Sequence, residues 1–220
     1  MTIRNCLFLC LLFLKLSCSE DLVVPIIEVP PPKIEEEKSE VEADYHLLFV
    51  GNSLTYYNDL PRLVKDEAAK RDIEIATKTL AKGNYAIVDH WDDGSVQSLI
   101  RSKKYDFVII QQGPSSQDEG FNILVESGAD YAELCKANDT KLAYFMVWPS
   151  RNYYHTFDGV IKNYTTAATV NNAILCPVGK VWKKHFNETN DFSYYGLDGF
   201  HPSLKGSEVA ANVIVNTLFP

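Results

Sequence analysis

The chain has 220 residues, 46% of them hydrophobic and 23% charged, which suits one globular domain with appendages and argues against a collagen-like, wholly disordered or membrane-bundle protein. Its formal charge of −8 is uneven: residues 19–43 hold eight acids against two lysines, whereas residues 44–220 carry 21 acids against 17 bases. A mildly acidic domain without a basic stripe argues against nucleic-acid binding, which relies on Lys and Arg to neutralise phosphates.

The amino terminus opens with Arg4 and a nine-residue apolar run from Cys6 to Leu14, too short to span a bilayer and laid out as a secretory signal over residues 1–18. Its ending, "LKLSC", resembles a bacterial lipoprotein signal, in which Cys18 becomes the lipidated first residue of the mature chain. Lys15 departs from that pattern, and an ordinary cleaved signal with an incidental cysteine is the alternative. Residues 19–43, "SEDLVVPIIEVPPPKIEEEKSEVEA", are rich in Pro and Glu and lack periodicity, as an extended solvated tether does. These segments predict an exported protein, either a membrane-anchored lipoprotein (outer membrane or periplasmic) or a secreted one. Export permits a disulfide between Cys135 and Cys176, but each falls on an apolar stretch of its own, which favours two separately buried thiols.

From residue 44 onward apolar runs alternate with amphipathic ones. His46–Val50 is a buried strand, and Leu60–Arg71 a helix with Leu60, Leu63, Val64 and Ala68 on one face, Asp59 as N-cap and Pro61 in the first turn. Ile73–Ala81 alternates as a strand, Asp93–Lys104 suits a short helix, and "YDFVIIQQ" a fully buried strand. A helix over Asn122–Ala137 precedes a strand at Lys141–Trp148; a helix over Phe157–Asn171 precedes a strand at Ala173–Val178; Ser207–Leu218 is the last helix. Five apolar strands alternating with helices predict a parallel sheet covered on both faces, a three-layer α/β/α domain spanning 44–220.

Two stretches carry chemistry. In "LFVGNSLTYYNDLP" the first strand stops at Gly51-Asn52 and offers the hydroxyl of Ser53, where open α/β folds place reactive groups. In "GLDGFHPSLKGSEVAA" Asp198 and His201 are three residues apart, close enough for the carboxylate to reach Nδ1 and leave Nε2 free to take a proton. Each residue alone is ordinary turn chemistry. Together they are the types a serine nucleophile needs: a base, and a group to orient the base.

"VGNSLT", "AKGNYAIVDHW", a strand running into "QQGPSS", and "DGFHPS" resemble the SGNH hydrolases, also called GDSL-like esterases and lipases, from about Leu47 to the C-terminus. The resemblance implies a flavodoxin-like sandwich; no cofactor or metal is expected. It makes Ser53 the nucleophile and an oxyanion donor through its own N–H, Gly83 a second backbone donor, His201 the base, and Asp198 its orienter. One block departs from the family pattern. Ser115 stands where an oxyanion-binding Asn is usual and is shorter than Asn, so the side-chain amide of Gln111 or Gln112 is the other source of that donor. Asn52, His90 and Trp148 are the remaining candidates to touch substrate, although packing and turn formation explain each as simply. The five histidines show no HxH or HxxxH spacing, and no CxxC occurs.

The expected activity is hydrolysis of an extracytoplasmic ester, an O-acetyl or other acyl group on carbohydrate before a lipid or short-chain ester. Activity is expected to fall at acid pH as the imidazole protonates. The reading from another class is a surface-anchored glycan-binding protein of the same fold with little catalysis, motivated by the missing Asn.

Overall fold

Residues 42–102 and 104–220 are described by the structure, a computed structural model. The expected signal sequence, Cys18 and all but the last two residues of the expected tether lie outside the described residues. Five short apolar runs become β1 (Tyr45–Gly51), β2 (Ile75–Ala81), β3 (Phe107–Ile110), β4 (Lys141–Phe145) and β5 (Ile174–Cys176). All pair in parallel in the order β2-β1-β3-β4-β5, with Val50 beside Ile110 and Ile110 beside Tyr144. Every residue of β3 is buried, as is the stretch Leu47–Gly51 of β1, because helices cover both faces and leave no room for a polar alternation. β2 is an edge strand and stays half open.

The helices are α1 (Ser53–Tyr56), α2 (Leu60–Ala69), α3 (Ile87–Asp92), α4 (Ser95–Arg101), α5 (Asp118–Ala137), α6 (Phe157–Val170), α7 (Val178–Thr189) and α8 (Leu204–Leu218). Helices α2 and α8 pack on each other, and α3 to α6 form a contiguous set. Because β2 is added on one side of β1 and β3 on the other, the order in which strands are laid down reverses at β1. The crevice at its carboxyl end is where such sheets hold ligands.

Several expected boundaries shift for local reasons. β4 leaves the ladder at Phe145 rather than Trp148, since its neighbour β5 ends before Pro177, which has no N–H to give. Met146, Val147 and Trp148 nonetheless stay fully buried. Gly179 makes this possible: a Cβ there would come within 2.1 Å of the Val147 carbonyl. Helix α7 was not expected, although Val178, Trp182 and Phe186 repeat at every fourth residue and are its buried stripe. Asp59 sits at the N-cap position of α2 but makes no capping hydrogen bond; its backbone is left-handed and its carboxylate faces Arg62 at 3.3 Å. Cys135 and Cys176 are free and buried, and burial pushes each thiol up to about 12.

Candidate active site

The Ser53 end is built around one buried glutamine. Gln111, the residue after β3, is fully buried, and its Oε1 accepts from the Asn52 N–H (2.9 Å) and the Thr55 hydroxyl (2.8 Å). Its Nε2 donates to the Gln112 carbonyl at 2.8 Å. Gly51 leaves space for this knot, since a Cβ there would stand 2.4 Å from Thr55 Oγ1 and 2.6 Å from Gln111 Oε1. Asn52 then caps α1: Oδ1 accepts from the Leu54 N–H at 3.2 Å, while Nδ2 donates to the Tyr85 carbonyl at 3.1 Å. Strand β1 therefore ends in a fixed turn, and Ser53 is the first residue past it.

The histidine end is a turn before α8. Asp198 Oδ1 accepts from the N–H groups of Phe200 and His201, both at 2.9 Å, and Oδ2 meets His201 Nδ1 at 2.6 Å. Gly199 has φ of +67°, the left-handed conformation that lets the chain fold back on the carboxylate. The turn is tied down from outside: the Arg151 N–H donates to the Gly199 carbonyl (2.7 Å), Trp148 Nε1–H to the Phe200 carbonyl (3.0 Å), and the Gly196 N–H to the His201 carbonyl (2.7 Å).

These two ends meet. His201 Nε2 lies 2.9 Å from Ser53 Oγ. With Nδ1–H given to Asp198, Nε2 is left as the acceptor for the serine proton. Burial raises the Asp198 carboxyl, but hydrogen bonds from the His201 ring and from the N–H groups of Phe200 and His201 outweigh it and hold the group below its ordinary range. Tyr57 stacks on the imidazole at 4.6 Å and 20°, and Phe200 meets it edge-on. The site is open to solvent, with the Asp198 side chain 49% exposed.

No protein-family model and no curated protein matches the sequence. Solved structures do. A Slackia heliotrinireducens protein classed provisionally as an SGNH hydrolase aligns at TM-score 0.67 and 22% identity, over 79% of this chain and 98% of that one. TesA aligns at 0.63 and 17%, over 80% and 98%. A variant of Axe2, an acetyl xylan esterase from Geobacillus stearothermophilus, aligns at 0.61 and 14%, over 80% and 95%. The fold is that of the SGNH hydrolases.

Within that SGNH frame the other sequence-predicted residues separate. Gly83 lies in the turn after β2, exposed, and neither its N–H nor that of Ser53 has an acceptor among the described residues. Gln112 is 8% exposed; Oε1 accepts from the Ile87 N–H at 2.9 Å, which fixes the amide and leaves Nε2 with no acceptor among the described residues. Both the Asn52 and Gln112 side chains thus attach to the segment that runs on from Gly83 into α3.

The remaining candidates make no hydrogen bond to the Ser53 hydroxyl, whose one partner among the described residues is His201. Ser115 donates its one proton to the Gly113 carbonyl at 2.9 Å and packs against Gly120. The Gln111 amide is spent on the turn described above. His90 is buried and gives Nε2–H to the Gly51 carbonyl at 2.7 Å, a packing role beside Tyr85. Trp148 is fully buried, stacked on Trp182 at 3.6 Å, and reaches the site only through the Phe200 carbonyl. Asn52 uses both ends of its side chain on the backbone. Sequence reasoning missed the supporting roles of Gln111 and Trp148, because nothing in either stretch signals a partner so distant in the chain. Among the described residues no group of three or more His, Cys, Asp or Glu side chains can hold a metal ion.

Proposed function

We propose that the protein is a serine esterase working through an acyl-enzyme on Ser53, with an acyl group on carbohydrate as its ester. The observation that carries this reading is the continuous relay of Asp198, His201 and Ser53 at 2.6 and 2.9 Å. His201 Nε2 takes the Ser53 proton as Oγ attacks the acyl carbonyl. Asp198 holds the ring with Nδ1–H turned inward and stabilises the imidazolium that forms. The same nitrogen then gives the proton to the departing alcohol, and water repeats the sequence to free the acid.

Stabilising the tetrahedral oxyanion falls to the N–H groups of Ser53 and Gly83 and to Gln112 Nε2. Gln112 takes the part of the absent Asn because its amide is held at the oxygen end and unused at the nitrogen end. Supporting an acylated carbohydrate are the open site, the exposed Tyr56 ring beside it in sequence, and the fold it shares with a protein described as an acetyl xylan esterase. Such rings suit the apolar faces of sugars. An exported protein, tethered through residues 19–43 and lipid on Cys18, meets that substrate outside the cytoplasm.

Purified protein incubated with p-nitrophenyl acetate and with an acetylated xylooligosaccharide tests the proposal. Release of acetate from both, abolished in Ser53→Ala, together with fluorophosphonate labelling of Ser53, is the expected result. Oligosaccharide binding without turnover or labelling would instead establish a glycan-binding protein.

A further inference from the structure

Directly after α1 the backbone adopts a conformation that side chains resist. Asn58 and Asp59 both have φ of 53°, two consecutive left-handed residues and neither of them glycine. Such strain persists only where the surroundings hold it in place. Here the hold is visible. Asn58 Nδ2 donates to the Pro202 carbonyl at 3.0 Å and to Ser207 Oγ at 2.9 Å. Pro202 directly follows His201, and Ser207, 1% exposed, lies in the first turn of α8.

Tyr57, one residue earlier, lays its ring on the imidazole. Helices α2 and α8, which follow the two ends of the site, pack on each other, but the other hydrogen bonds at each end run to different strands. Gln111 ties the Ser53 turn to β3, and Trp148 and Arg151 tie the His201 turn to the end of β4. Among the described residues, the Asn58 bonds and the Ser53–His201 contact are the only hydrogen bonds from residues 52–59 to residues 190–207.

We propose that Tyr57 and Asn58 form a strap that sets the separation of Ser53 from His201 and the tilt of the imidazole ring. Both are positioning residues, and the left-handed pair at 58 and 59 is the bend that brings the Asn58 amide back to the histidine turn. The inference rests on the esterase reading for its effect on rate, but the geometry can be read without turnover.

Three variants test it: Asn58→Gly, which accepts the left-handed backbone but removes both bonds; Tyr57→Leu, which removes the ring; and Tyr57→Phe, which keeps it. In Asn58→Gly and Tyr57→Leu, kcat is expected to fall about 10- to 100-fold, the scale for a small misplacement of reacting groups. KM and Tm stay near wild type, fluorophosphonate labelling slows in step, and Tyr57→Phe retains the wild-type rate. Independently of turnover, the His201 Nδ1 proton bonded to Asp198 is expected as a far-downfield proton resonance, broadened in Asn58→Gly and unchanged in Tyr57→Phe. An unchanged resonance in Asn58→Gly, or a kcat lost only in proportion to a lowered Tm, overturns the strap. A wild-type protein with the resonance but no ester hydrolysis overturns the esterase reading and leaves the strap to be judged by the resonance alone.

Discussion

The relay and the oxyanion wall are assembled in opposite ways. Asp198 and His201 are neighbours in one turn, and the carboxylate gathers two backbone N–H groups and the ring almost without outside help. The donors proposed to face the developing negative charge come from the ends of three strands, after β1 (Ser53), β2 (Gly83) and β3 (Gln112). Their alignment depends on side chains reaching between those segments. A local motif survives most changes elsewhere, whereas a wall built from three segments is sensitive to each tie. Four predictions sharpen that contrast.

The largest effect falls on the relay itself. Ser53→Ala is expected to lower kcat about a million-fold, the scale seen when a triad nucleophile is removed. Steady-state hydrolysis of p-nitrophenyl acetate measures it, and activity within a factor of ten of wild type would break the relay reading.

Next comes the wall. Gln112→Ala removes an oxyanion donor and is expected to cost about 10²- to 10³-fold in kcat with little change in KM. Ser115→Ala should stay within a few-fold of wild type, because that hydroxyl is already given to Gly113. Measuring both under one assay decides which residue stands in for the family's Asn; the reverse ranking would move the role to Ser115.

That pair also marks what the sequence could tell. The sheet was legible because each buried strand is an apolar run with a helix-patterned segment behind it. Ser53, Asp198 and His201 are each ordinary turn residues alone, and were legible as a set because together they are the types a serine nucleophile needs; the structure brings them within hydrogen-bond distance. Choosing between Gln112 and Ser115 was beyond the sequence, since both follow β3 and only tertiary contact tells which polar atom is already partnered. Trp148 shows the converse. Its position at the end of a strand suggests a pocket wall, yet the indole is buried by Trp182 from a helix, α7, that the apolar pattern contained and the reading passed over. Asp59 reads as a cap from sequence because the left-handed backbone that turns it away is set by Asn58 reaching residues about 144 positions further on.

A smaller effect probes the outside support of the histidine turn. Trp148→Phe keeps an aromatic ring for Trp182 but leaves the Phe200 carbonyl without its indole donor. Losing that bond is expected to cost about 1 kcal/mol of stability by urea unfolding. It should lower kcat about tenfold through a displaced His201, with KM unchanged. Loss of stability with full kcat would show that the turn holds its geometry from within.

The smallest effect concerns acid pH and tests how self-sufficient that turn is. The folded Asp198 carboxyl binds its proton more weakly than the unfolded one, because the His201 ring and two backbone N–H groups favour the carboxylate over the opposing cost of burial. The unfolded chain therefore takes up more protons in the interval between the depressed folded value and the ordinary carboxylate range. Folding stability must rise with pH across that interval and be flat above it. Asp198→Asn removes the charge, so the difference in unfolding free energy between wild type and variant should be constant near neutrality. It should then shrink as pH falls through the folded value. With the side chain half exposed, solvent and salt screen the interaction, and the plateau is expected below about 1 kcal/mol. A difference that grows toward acid would mean that the carboxylate is held against its own preference, and that the turn depends on its surroundings as much as the oxyanion wall does.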